Sequence, residues 1–204
     1  MTDNSDQSEF ESLARIKLKQ ANYLVDDAGQ PVEAVLIYDE ILAGVINSDD
    51  LTSRELLADV MFHKSIALFD LGQIQNAVTL TNEMIARFSA AEFVLRKAVS
   101  HALYLAVFIL RKEHPGHEQT LIEICDKAAV LFGKETDIWM RDRLLNFLNE
   151  KSFALIVLGQ LDEAIALRNE VAARYKDDPD QDLRQRAERI CELMDMRLTG
   201  TASG

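Results

Sequence analysis

Residues 113–118, EHPGHE, bring two imidazoles, His114 and His117, and two carboxylates, Glu113 and Glu118, into one short segment. Imidazole suits zinc or nickel, so the segment is a candidate metal site. Two histidines in a loop fall short of a closed coordination shell, however, and a Pro-Gly turn accounts for the segment more simply. His63 beside Lys64, and His101 after Ser100, offer acid–base groups. A lone histidine on a helix is usually a packing or surface residue, and no nucleophile with a recognisable local motif accompanies either one. The chain contains no P-loop, dinucleotide fingerprint, GxSxG or HExxH pattern. Its two cysteines, Cys125 and Cys191, are far apart and sit in apolar stripes, where a thiol acts as a small hydrophobe. No catalytic residue, metal ligand or cofactor is assigned, and catalysis has no positive support.

Charge narrows the partner classes. Lys and Arg total 22 against 34 Asp and Glu, a formal charge of −12 in 204 residues. A polyanion meets net repulsion, so no nucleic acid is expected as a partner. The acidic runs at Ser48 (SDD) and Lys176 (KDDPDQD) read as solvated loops, with a functional acidic patch as the alternative. The start, MTDNSDQSEF, lacks the basic and apolar regions of a signal peptide, and no window approaches 18 uninterrupted apolar residues. The expectation is a cytoplasmic protein with no membrane segment.

The elements that would carry any site are written as a repeat. Gly29, Gly72, Gly116 and Gly159 stand 43, 44 and 43 residues apart, and each opens a similar segment. The copies starting at Gly72 and Gly159 read GQIQNAVTLTNEMIARF and GQLDEAIALRNEVAARY. Apolar residues recur three or four apart, as at Ala77, Leu80, Met84 and Phe88, the stripe of a half-buried helix. The stretches before the glycines, such as RELLADVMFHKSIALFDL, are also helical in pattern. A glycine in the left-handed conformation closes the first helix, making each unit a helical hairpin with a very short turn. Ala34, Ala77, Leu121 and Ala164, five residues after the glycines, are the expected points of close helix approach; Thr136, Asp137 and Asp180 are candidate N-caps. Trp139 is expected to pack in the core, with a surface anchor as the alternative. Leu183, Ala187, Ile190 and Met194 mark one face of a last, solvating helix.

The segments KSIALFDLGQIQNAV and KSFALIVLGQLDEAI resemble the heart of a tetratricopeptide repeat: a small residue, a large apolar one, Gly, then Ala. Those positions are Ser65, Leu68, Gly72 and Ala77 in one unit and Ser152, Leu155, Gly159 and Ala164 in the other. The resemblance covers most of the chain, strongly in Lys64–Phe88 and Lys151–Tyr175 and weakly in two other units. The spacing departs from the family's 34 residues, and the proline that often ends a repeat appears only at Pro179. The resemblance implies an all-α fold, a right-handed superhelix (α-solenoid) of about four antiparallel hairpins plus a C-terminal capping helix. Residues 8–198 form the expected domain, between a disordered tail at 1–7 and a flexible one at 199–204.

By the same resemblance the first helix of each pair lines a concave groove. The implied peptide-binding positions are Asp59, Phe62, Ile66 and Phe69 in the second unit and Asn146, Asn149, Phe153 and Ile156 in the fourth. His101, Leu105 and Phe108 are the corresponding positions of the third. Asp and Asn stand where a clamp for a C-terminal carboxylate would need Lys or Arg, so that clamp is not expected. The reading is a non-catalytic module, adaptor or chaperone-like, that binds a protein, peptide or helix in its groove. The alternatives are a homo-oligomeric helical scaffold, and an all-helical enzyme or metal-dependent protein using His63, His101 or the HPGH loop. The groove residues would instead be core if the terminal helices filled the groove.

Overall fold

The structure, a computed structural model, describes residues 3–47, 49–88, 93–112 and 116–201. Among these the chain is all helix: α1 (Asp3–Asp26), α2 (Pro31–Val45), α3 (Leu51–Asp70), α4 (Ile74–Phe88), α5 (Phe93–Lys112), α6 (Glu118–Phe132), α7 (Ile138–Val157), α8 (Leu161–Tyr175) and α9 (Gln181–Thr201). Ser48 of the SDD run lies outside the described residues, as do Glu113 and His114 of the HPGH loop.

The helix ends have local causes. Asp50 caps α3, its carboxylate accepting the Ser53 N–H at 2.9 Å, and Asp137 caps α7 through the Met140 N–H at 3.1 Å. Asp180 accepts the Leu183 N–H at 2.8 Å at the start of α9. Each cap satisfies a backbone donor that the helix leaves unpaired, an effect of about 1 kcal/mol. At the other end, Gly72 has φ +71° and Gly159 φ +72°, the region where a Cβ is unfavourable. That conformation lets Gln73 donate to Leu68 O at 2.9 Å and Gln160 to Leu155 O at 2.9 Å, closing α3 and α7 with the same bond.

The helices fall into two compact units, Met1–Ala106 and Val107–Gly204, the division lying within α5. In the first unit α1 packs on α2 and α3, α2 on α3, and α3 on α4; in the second α6 packs on α7, α7 on α8, and α9 on both α7 and α8. The close-approach positions Ala34, Ala77, Leu121 and Ala164 are all buried, as are the stripe ends Val45, Phe88, Phe132 and Tyr175. Leu183, Ala187, Ile190 and Met194 bury one side of α9, as their spacing requires. Cys125 and Cys191 are buried and unpaired. Trp139 is half-buried, with the Arg143 guanidinium 5.0 Å from its ring.

An ion pair repeats with the hairpins. Lys64 on α3 binds Asp39 on α2 in the first unit, and Lys151 on α7 binds Asp126 on α6 in the second. These exposed pairs fix register more than they add stability, each contributing roughly 0.2–1 kcal/mol.

Candidate functional site

The outward stripes of α3 and α7 hold the residues expected to line a binding surface. In the first unit Asp59 is exposed, and Phe62, Ile66 and Phe69 are half-buried along one side of α3. The Phe62 ring meets the His63 imidazole edge-on at 5.3 Å and the His101 ring of α5 at 5.7 Å. Burial, opposed by Asp59 and Asp26, holds His63 below the usual histidine range, so its neutral form is favoured. Partial burial pushes the Asp59 carboxyl above its usual range, against the attraction of His63 and of Arg15 on α1; Glu55 adds to the rise. Leu105 is half-buried on α5, one turn beyond His101.

The stripe of α7 carries different chemistry. Asn146 accepts from Arg186 at 2.5 Å and Asn149 from Arg197 at 3.0 Å, both arginines on α9. Phe153 lies beneath two guanidinium groups, Arg111 of α5 at 5.3 Å and Arg197 at 5.6 Å from the ring centre. Arg111 also bonds both oxygens of Glu150, at 2.8 and 3.0 Å, and Arg186 pairs with Asp142. Arg197 has only the neutral Asn149 oxygen and the aromatic ring as partners among the described residues. Phe108, in the same unit, is exposed, with the Lys112 ammonium 5.2 Å from its ring.

One expectation is corrected. Ile156 is buried, at 8% exposure, and belongs to the core of α7 rather than to its face. Arg111, Arg186 and Arg197 reach Asn146, Asn149 and Phe153 of α7 from the flanking helices. A stripe within one helix does not show them, because the guanidinium groups cross from neighbours 39 to 48 residues away. The available signal is the Arg186 and Arg197 pair on α9.

The described residues contain no group of three or more His, Cys, Asp or Glu side chains placed to hold a metal ion. His117 and Glu118 are separated in role: the Glu118 carboxylate accepts the Gly116 N–H at 3.1 Å. None of the described helices is long and apolar enough to cross a membrane.

No family model matches the chain, and no curated protein matches it. Two solved structures do. Both are of a Podosopora anserina protein described as a kinesin light chain with nearly identical TPR-like repeats. One aligns over 100% of both chains with a TM-score of 0.53 at 17% identity; the other covers 98% of this chain and 96% of its own, with a TM-score of 0.50 at 17% identity. At that identity the likeness is one of fold. The chain has an all-α helical-repeat solenoid fold of the tetratricopeptide-like class, as the resemblance of its repeat segments to that family implies.

Proposed function

We propose that the chain is a protein-interaction module whose α7 face holds an acidic, partly apolar peptide. The supporting observation is the convergence of Arg111, Arg186 and Arg197 on Asn146, Asn149 and Phe153. Guanidinium groups offer planar, charge-assisted bonds to carboxylates, and the half-buried Phe153 ring offers apolar contact beside them. Arg197 is the residue we assign to the partner's carboxylate, because no acidic side chain neutralises it among the described residues. Arg111 and Arg186 already hold Glu150 and Asp142, so they set the field and position the face. A reducing compartment such as the cytoplasm fits the two buried, unpaired thiols. The adaptor role follows the fold class, whose exposed helix faces are general binding surfaces.

The test is fluorescence anisotropy of the full chain with a labelled peptide in which leucines are flanked by glutamates. Arg197→Ala weakens binding about tenfold, the loss of one charge-assisted contact of roughly 1.5 kcal/mol. Lys134→Ala removes the same charge from an exposed site after α6 and leaves affinity unchanged. Equal weakening by the two substitutions, or none by Arg197→Ala, would remove the basis for this reading.

A further inference from the structure

Asp59 differs from the carboxylates around it. Asp39 and Asp126 each hold a lysine of the neighbouring helix, and Glu11 accepts the Ser53 hydroxyl at 2.8 Å. Asp59 has neither a hydrogen-bond donor nor an ion-pair partner among the described residues, although Arg15 on α1 contributes to its field. One turn further along α3 stands Phe62, its ring against the His63 and His101 imidazoles, followed by the half-buried Ile66 and Phe69.

This order of groups selects among occupants. An acidic segment is repelled by Asp59 and Glu55. A wholly apolar segment would cover the Asp59 carboxylate without pairing it, which costs the desolvation of a charge. A lysine or arginine satisfies both demands: its charged end pairs with the carboxylate, and its hydrocarbon stem or guanidinium plane lies on an aromatic ring. The apolar side chains of the same segment then meet Ile66 and Phe69.

We infer that the α3 face docks a basic amphipathic segment of a partner protein, with one Lys or Arg paired to Asp59 and packed on Phe62. The inference rests on reading these helix faces as peptide-binding surfaces, and it assigns this one the charge preference opposite to that of the α7 face. Burial already pushes the Asp59 carboxyl above its usual range, and a bound cation relieves that strain on the ionised form. Protonation works against the partner. Asp59, its carboxyl pushed up by burial in a field shared with Glu55, Arg15 and His63, loses its charge as the pH falls, and His63, held down by burial, then becomes positive beside the position of the partner's cation. Binding is therefore weaker at acidic pH.

The experiment uses the full chain and a labelled peptide of leucine and lysine written at helical spacing, at physiological salt. Asp59→Asn weakens binding about fivefold, the size of one partly exposed ion pair with an aromatic contact. Asp70→Asn, the same charge change at the end of α3, leaves it unchanged, and Phe62→Ala weakens it further when combined with Asp59→Asn. Equal weakening by Asp59→Asn and Asp70→Asn shows attraction by net charge alone and overturns the inference. Binding of the glutamate peptide with none of the lysine peptide overturns it while leaving the α7 reading intact. Binding of neither peptide removes both.

Discussion

α3 and α7 are two copies of one helix in which the inner side is kept and the outer side rewritten. Inward, Ser65 and Ser152, Ala67 and Ala154, and Leu68 and Leu155 occupy matching positions, and all six are buried. Outward, Asp59 stands at the register of Asn146, Phe62 at that of Asn149, and Ile66 at that of Phe153. The inner positions face a packed partner helix, where a change of even one methylene is felt. The outer ones meet water or a neighbour's flexible side chain, so charge and polarity change there without altering the hairpin. Fold and surface chemistry are thus carried by different sides of the same helix.

The largest effects should test the shared inner side. Phe88 ends the stripe of α4 and Tyr175 that of α8, at matching positions and both almost fully buried. Phe88→Ala and Tyr175→Ala should each cost about 3–5 kcal/mol in denaturant unfolding. Hydrogen exchange should show protection lost first in residues 1–106 for Phe88→Ala and in 107–204 for Tyr175→Ala. Tyr175 also donates its hydroxyl to Arg141 O at 3.0 Å, tying α8 to the start of α7, whereas Phe88 has no hydroxyl. A Tyr175→Ala cost well below that of Phe88→Ala would mean that the two hairpins are not equivalent copies.

A pH series separates the outer sides. His63 is held below the usual histidine range chiefly by burial, so folding favours its neutral form. Above the unfolded value of about 6.5 that preference contributes nothing against folding. As pH falls from there through the lowered folded value, the unfolded chain binds a proton that the folded chain resists, and stability is lost. His63→Gln should flatten this loss below about pH 6.5, read as the melting temperature of variant against parent. Asp59 acts with the opposite sign: its raised value makes the protonated form the better fit, so its contribution is lost as pH rises through the folded value. Asp59→Asn should therefore stabilise the chain at neutral pH and converge with the parent in acid. Asn146 and Asn149 do not titrate in this range. An acid loss that persists unchanged in His63→Gln would assign it to another group.

The skeleton was legible from the sequence because each of its causes is local. A glycine every 43 or 44 residues sets the left-handed turn, Asp137 and Asp180 cap the next helix, and the stripe through Ala77, Met84 and Phe88 fixes which side is buried. The faces were legible only in part. Asp59, Phe62, Ile66 and Phe69 follow from the resemblance of the α3 unit to the tetratricopeptide repeat, and the structure leaves all four at least partly accessible. Extending the same stripe to Ile156 failed, because that side chain lies at the edge of the stripe and is buried at the end of α7. The arginine crowding over Phe153 depends on the register of α5 and α9 against α7, a property of packed helices that no single helix encodes.

The smallest expected difference lies at the serines that most resemble each other. Ser65 and Ser152 are both fully enclosed, yet Ser65 donates to Met61 O at 2.9 Å, while the Ser152 hydroxyl makes no hydrogen bond among the described residues. A buried hydroxyl that is bonded contributes roughly 0.5–1.5 kcal/mol, and one that is not carries its desolvation cost without return. Ser65→Ala should therefore destabilise by about 1 kcal/mol, and Ser152→Ala should be neutral or slightly stabilising, since removing an unbonded hydroxyl leaves no orphaned partner. Paired denaturation curves of the two variants decide the matter. If both lose stability equally, the Ser152 hydroxyl has found a partner in solution, and the inner sides of α3 and α7 are more alike than their hydrogen bonds indicate. If Ser152→Ala is the neutral one, the small residue at this position is kept for the close approach of the paired helix rather than for its hydroxyl.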